Sequence, residues 1–147
     1  FDALSSTKFG VAHNGKPVTF TGWYKYTPGN EYRDKKNNIV EGEIDKCAIN
    51  AVLYEEELDK NGENVPLTGH DINTSDRVVM RASLQDTGAK SEWTEFTLPF
   101  ESMNGKEYDS SKKYYLAIIC SSSYKGDAYE GAPGSTLIID SFKVVSE

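Results

Sequence analysis

Alternation of apolar and polar residues at a period of two runs through most of this chain and predicts strands. The first clear one covers residues 16–28, where Val18, Phe20, Tyr24 and Tyr26 fall on one face and Thr19, Thr21, Trp23 and Lys25 on the other. An aromatic residue thus stands on each face. Residues 43–57 place Cys47, Ile49, Ala51 and Leu53 on one side and Lys46, Ala48, Asn50, Val52 and Tyr54 on the opposite one. The polar residues of that run do not recur at helical spacing, so it reads as a strand despite its alanines. Residues 76–84 set Val78, Met80, Ala82 and Leu84 against Arg77, Val79, Arg81 and Ser83. In residues 92–100, Phe96, Leu98 and Phe100 alternate inward while Trp93 and Glu95 point the opposite way, and Pro99 marks a strand end or a sheet edge. Two β-branched runs, 114–120 and 136–145, read as paired or facing core strands.

The connections carry turn chemistry. Residues 1–16 read as an irregular lead-in or an edge strand with a short apolar hint at 9–11, and residues 29–42 as a polar loop. Asp59-Lys60-Asn61-Gly62-Glu63-Asn64 contains the Asn-Gly turn dipeptide. An EF-hand would need glycine sixth and glutamate twelfth, where this chain has Asn64 and His70, so the turn is preferred. The 121–135 segment, with three consecutive serines, Asp127, Glu130 and three glycines, is too long for a tight hairpin. It reads as an ordered, functional loop or as a solvated connector. About six strands, with no helical period and no internal repeat, predict an all-β sandwich.

Composition narrows the partners. The 147 residues suit one domain, and 12% aromatic content, with nine tyrosines and two tryptophans, suits a β-rich fold with rings on its surface. A net charge of −7 repels nucleic acid and anionic lipid, which leaves neutral ligands. No stretch approaches the roughly 20 apolar residues that span a bilayer, so no direct membrane insertion is expected. The start lacks a basic n-region and an apolar h-region; an export signal would lie upstream of Phe1. Cys47 and Cys120 lie in apolar runs, as a disulfide between neighbouring strands or as two small buried hydrophobes.

Several chemistries lack their residues. Two cysteines and two histidines do not supply a Cys/His zinc site. The glycines at 126–134 precede a strand with no Gly-Lys-Ser/Thr, so no phosphate loop is present, and Ser121–Ser122–Ser123 lack a nucleophile-elbow frame. Glycoside hydrolysis needs only two carboxylates about 5–10 Å apart. Glu55, Glu92, Glu95, Asp127 and Glu130 are candidates, each equally readable as a solvated or loop-structuring acid. Sugar binding needs an aromatic platform with convergent polar groups. Trp23 with Lys25, Asn50 with Tyr54, and Arg81 and Trp93 on their strands would form one if their faces coincide, with Ser123 and Asp127 contributed by the long loop. Otherwise the tryptophans belong to the core.

The 114–142 run, with Ser122, Ser123, Gly126, Asp127, Gly131, Gly134, Ser135, Thr136, Leu137 and Asp140, resembles the C-terminal signature of the putative carbohydrate metabolism domain family. Trp23-Tyr24-Lys25-Tyr26-Thr27-Pro28-Gly29 resembles a motif near the start of that family's domain. The resemblance implies a jelly-roll β-sandwich similar to carbohydrate-binding modules, in secreted or surface-anchored proteins of gut anaerobes. On that basis residues 1–147 are one domain, the C-terminal part of a longer exported chain, periplasmic, outer-membrane-anchored or secreted. The expected activity is non-catalytic binding of an oligosaccharide or polysaccharide by a monomer alongside other domains of its parent. The alternatives are a glycoside hydrolase using two carboxylates near the 121–135 loop, and a spacer without a ligand. Regular alternation places Asp140 on the face of Ile138, Phe142 and Val144, and a buried carboxylate must be hydrogen-bonded or metal-bound. The resemblance offers a structural calcium held with an N-terminal acid, of which Asp2 is the one available; loop N–H groups are the other option. No other cofactor is expected.

Overall fold

The computed structural model describes Leu4 and residues 7–147. Its strands are β1 (Lys8–Phe9), β2 (Val11–His13), β3 (Pro17–Thr27), β4 (Ala48–Glu55), β5 (Leu67–Thr68), β6 (Val78–Ser83), β7 (Lys90–Pro99), β8 (Glu101–Ser102), β9 (Tyr114–Ser121) and β10 (Thr136–Ser146). They form a three-stranded sheet ordered β10-β3-β7, a five-stranded sheet ordered β2-β9-β4-β6-β8, and a small β1-β5 ribbon, all antiparallel. The chain is thus an all-β sandwich. It crosses between the two larger sheets from β2 to β3, β3 to β4, β6 to β7, β7 to β8 and β9 to β10, which is compatible with a jelly roll. The two C-terminal runs prove to be facing strands, one in each sheet, and Pro99 lies on an edge strand, where its missing N–H leaves no ladder bond unmade.

The inward faces follow the predicted alternation except at Val18, which is exposed, and at Val78 and Val79, where an irregularity in the β4–β6 register puts Val78 in the outer cluster with Tyr54 and Val79 in the core. Phe20, Tyr24 and Tyr26 of β3 pack against Ile49, Ala51 and Leu53 of β4, Met80 and Ala82 of β6, and Phe96 of β7. Phe20, Phe96 and Phe142 meet edge to face with centroids 5.1–5.3 Å apart, the arrangement that aromatic quadrupoles favour. Gly22 sits under these rings, and a Cβ there would collide with Phe142. Burial pushes the Tyr24 phenol up to about 12 and the Cys47 thiol up to about 11.

Two further sequence expectations need correction. Asp140 does not share a face with Phe142 and Val144. It pairs with Trp23 whereas Lys143 pairs with Thr21, so β10 carries an extra residue between them, and Ser141 sits there in the left-handed region at φ 55°. This bulge puts Asp140 outward and exposed while Phe142 and Val144 pack inward. The second correction concerns Cys120, which is exposed at the end of β9 instead of buried; it and the buried Cys47 are both free thiols.

Candidate functional site

The outer face of the three-stranded sheet is open to solvent. Register aligns Asp140, Trp23 and Glu95 in one row across β10, β3 and β7, and Ile138 pairs with Lys25 in the row beside it. Trp23 is 40% exposed, Trp93 43% and Ile138 48%. The Lys25 ammonium lies 5.1 Å from the centroid of the Trp93 ring, a cation–π contact that places both residues on this face. Neither tryptophan therefore belongs to the core. The result is a flat aromatic and aliphatic surface with carboxylates on both sides of Trp23 and a cation against Trp93. Such a surface can lie against the C–H face of a pyranose while its charged groups bond the hydroxyls.

At one end of the sandwich the 121–135 loop folds around Asp45, which is 0% exposed. Its Oδ2 accepts hydrogen bonds from the Ser123 hydroxyl at 2.6 Å, the Ser135 hydroxyl at 2.7 Å and the Ala132 N–H at 2.9 Å, while Oδ1 accepts the Lys46 N–H at 2.9 Å. Four donors satisfy a carboxylate that would otherwise be costly to bury. Around it, Tyr26 donates to the Ser122 carbonyl at 2.7 Å, and Arg33 and Gly131 exchange backbone bonds. Ser123 is thereby a member of this knot, and Asp127 lies exposed in the 3-10 turn Gly126–Ala128. Asp45 was absent from the sequence candidates. Its signal was period-two phase, since residue 45 shares the inward face with Cys47, Ile49 and Ala51.

Asn50, Tyr54 and Arg81 occupy the outer face of the five-stranded sheet, on the far side of the sandwich from the tryptophans. The predicted faces do not coincide. Tyr54 is fully buried there with Val52, Leu67, Ile72 and Ala117, stacks on Tyr115, and donates its hydroxyl to the Phe9 carbonyl. Among the carboxylates considered for hydrolysis, Glu55 pairs with Lys106 at 3.2 Å, Glu92 and Glu95 lie exposed on β7, and Glu130 is half-buried in the loop. Among the described residues no group of three or more His, Cys, Asp or Glu side chains is arranged to hold a metal. Asp140 stands beside Trp23, and Asp2, the second calcium ligand considered, lies outside the described residues. No described helix is long and apolar enough to cross a membrane.

The fold and the exposed face define an all-β sandwich module. Residues 1–145 match the family described as putative carbohydrate metabolism domain, and the chain belongs to that family. It is similar to a solved structure of a putative glycoside hydrolase from Bacteroides thetaiotaomicron, with 36% identity and a TM-score of 0.87 over 98% of this chain and 42% of that one. A second, of a putative glycoside hydrolase from Bacteroides vulgatus, has 35% identity and a TM-score of 0.84 over 99% of this chain and 58% of that one. The chain thus spans about half the length of these relatives. No curated protein matches it.

Proposed function

We propose that the chain is a non-catalytic glycan-binding module of an exported glycan-utilisation protein, acting beside other domains of its parent. The observation that carries this reading is the bare outer face of β10-β3-β7, where Trp23 and Trp93 stand about two-fifths exposed among Lys25, Glu95 and Asp140. Family membership supplies the carbohydrate context. Aromatic stacking on a sheet face suits an oligosaccharide or polysaccharide chain lying along the strands. The test is affinity electrophoresis and a glycan array with the parent protein and a Trp23→Ala, Trp93→Ala double variant, both checked by circular dichroism. Loss of binding by at least tenfold in a folded variant is expected; undiminished binding overturns the assignment of the face.

The names of the two solved relatives favour a second reading, glycoside hydrolysis. Release of reducing sugar in the same screen, abolished by Asp127→Asn or Glu130→Gln, would establish it near the 121–135 loop. Retention of catalysis in both variants would remove that site.

A further inference from the structure

A concavity of about 350 Å³ lies where β7 hands over to β8, and Arg81 lines it. Arg81 is half-buried, and among the described residues no carboxylate comes within ion-pair distance of its guanidinium. Its Nε donates to Ser83 Oγ at 3.3 Å and one Nη2 hydrogen to Asn73 Oδ1 at 2.6 Å. Both acceptors are neutral. A guanidinium carries five donors in a planar fork, so the two Nη1 hydrogens and the second Nη2 hydrogen remain uncommitted. Glu101 is the cross-strand neighbour of Arg81 and lines the same cavity without pairing with it. Burial disfavours the bare cation here, and a protein of net charge −7 has many acids that could have been placed against it. None is.

We infer that this cavity binds the carboxylate of an acidic sugar, a uronate unit, through Arg81. Leu98 and Pro99 give an apolar wall for the ring, while Ser83 and Gln85 supply neutral hydrogen-bonding groups. Glu101 accepts from sugar hydroxyls and opposes a second anionic group, so one carboxylate per ring is the charge the site fits. A guanidinium matches a carboxylate bidentately, which gives an acidic sugar an advantage over its neutral counterpart. The inference rests on the carbohydrate reading, but it uses a different face from the tryptophans.

The experiment titrates the whole chain with trigalacturonate, with its methyl ester, and with triglutamate, by calorimetry and amide NMR. Binding of trigalacturonate is expected to weaken at least tenfold on esterification and at least tenfold in Arg81→Gln, with shifts centred on residues 81–85 and 98–101. The ester comparison needs no variant, so it decides the matter even if Arg81→Gln does not fold. Equal affinity for the ester overturns the inference, and so does equal affinity for triglutamate, which would mark a general anion site. Tryptophan-dependent binding of neutral glycans without uronate binding sinks this inference alone. Uronate binding that depends on Arg81 without any tryptophan-dependent binding sustains it and removes the platform instead.

Discussion

The two outer faces of the sandwich carry similar residues and meet opposite fates. Tyr54 on β4 and Trp23 on β3 are both aromatic, both in mid-strand, and both in outward phase. Tyr54 is 0% exposed because the β1-β5 ribbon and the following segment bring Leu67, Ile72 and Phe9 over it. Trp23 is 40% exposed because no described element crosses the outer face of β10-β3-β7. Period-two alternation separates the inside of a sandwich from its outside. It does not say which outside is then covered, and that difference turns one aromatic into core and leaves the other free for a ligand.

The sharpest way to break this contrast is truncation on each side. Tyr54→Ala should cost about 3–5 kcal/mol, as for a large buried aromatic, seen as a lower urea midpoint. Trp23→Ala should cost less than about 1 kcal/mol in the same titration. Equal losses would mean that the two faces are equally packed. Asp45→Ala tests whether the end loop is held as described. It strands the Ser123 hydroxyl and the N–H groups of Ala132 and Lys46, while Ser135 keeps the Ala132 carbonyl at 2.8 Å as an acceptor, and should cost about 3 kcal/mol. Faster proteolysis within 121–135 should accompany it; a variant as stable as the parent would show that the knot contributes nothing.

Tyr24 is held at about 12, Tyr32 at about 12 and Cys47 at about 11, burial being the leading cause in each. Ordinary values are 10 for the phenols and 9 for the thiol, so the folded state holds these protons more tightly than the unfolded state. Their contribution is complete below pH 9 and is lost as the pH rises towards 12. Melting temperature measured across that window should fall steeply, and Tyr24→Phe should blunt the fall. A flat profile would contradict the burial of these groups. The smallest effect concerns the bulge that turns Asp140 outward. Ser141→Gly should gain about 0.5 kcal/mol by relieving a left-handed non-glycine residue, without altering glycan binding. A loss of stability would mean that Ser141 is not strained.

Much of the fold was legible because the long strands carry recognisable period-two runs, most regular in β3, and their turns carry the expected residues. Asp59 caps its predicted turn by accepting the N–H groups of Asn61 at 2.8 Å and Glu63 at 3.0 Å. The site was legible only in parts. Trp23, Lys25 and Trp93 come together, since strands β3 and β7 are neighbours, but Asn50, Tyr54 and Arg81 belong to the other sheet, and strand order is not written in a period of two. Asp140 was misplaced because one extra residue in a strand reverses every later position, and a Ser in the bulge gives no composition signal where a glycine would. Asp45 was overlooked because an acid at the margin of an apolar run looks like a strand end. Only its phase, shared with Cys47 and Ile49, marked it as inward.

The chain has two tryptophans and both lie on the open face, so intrinsic fluorescence reports on that face alone. The decisive measurement follows tryptophan emission and acrylamide quenching while a glycan that binds in the array screen is titrated to saturation. The account predicts a blue shift and reduced quenching that track the calorimetric isotherm, as sugar replaces water over both rings. Full calorimetric binding with emission and quenching unchanged would place the ligand elsewhere and contradict the central claim.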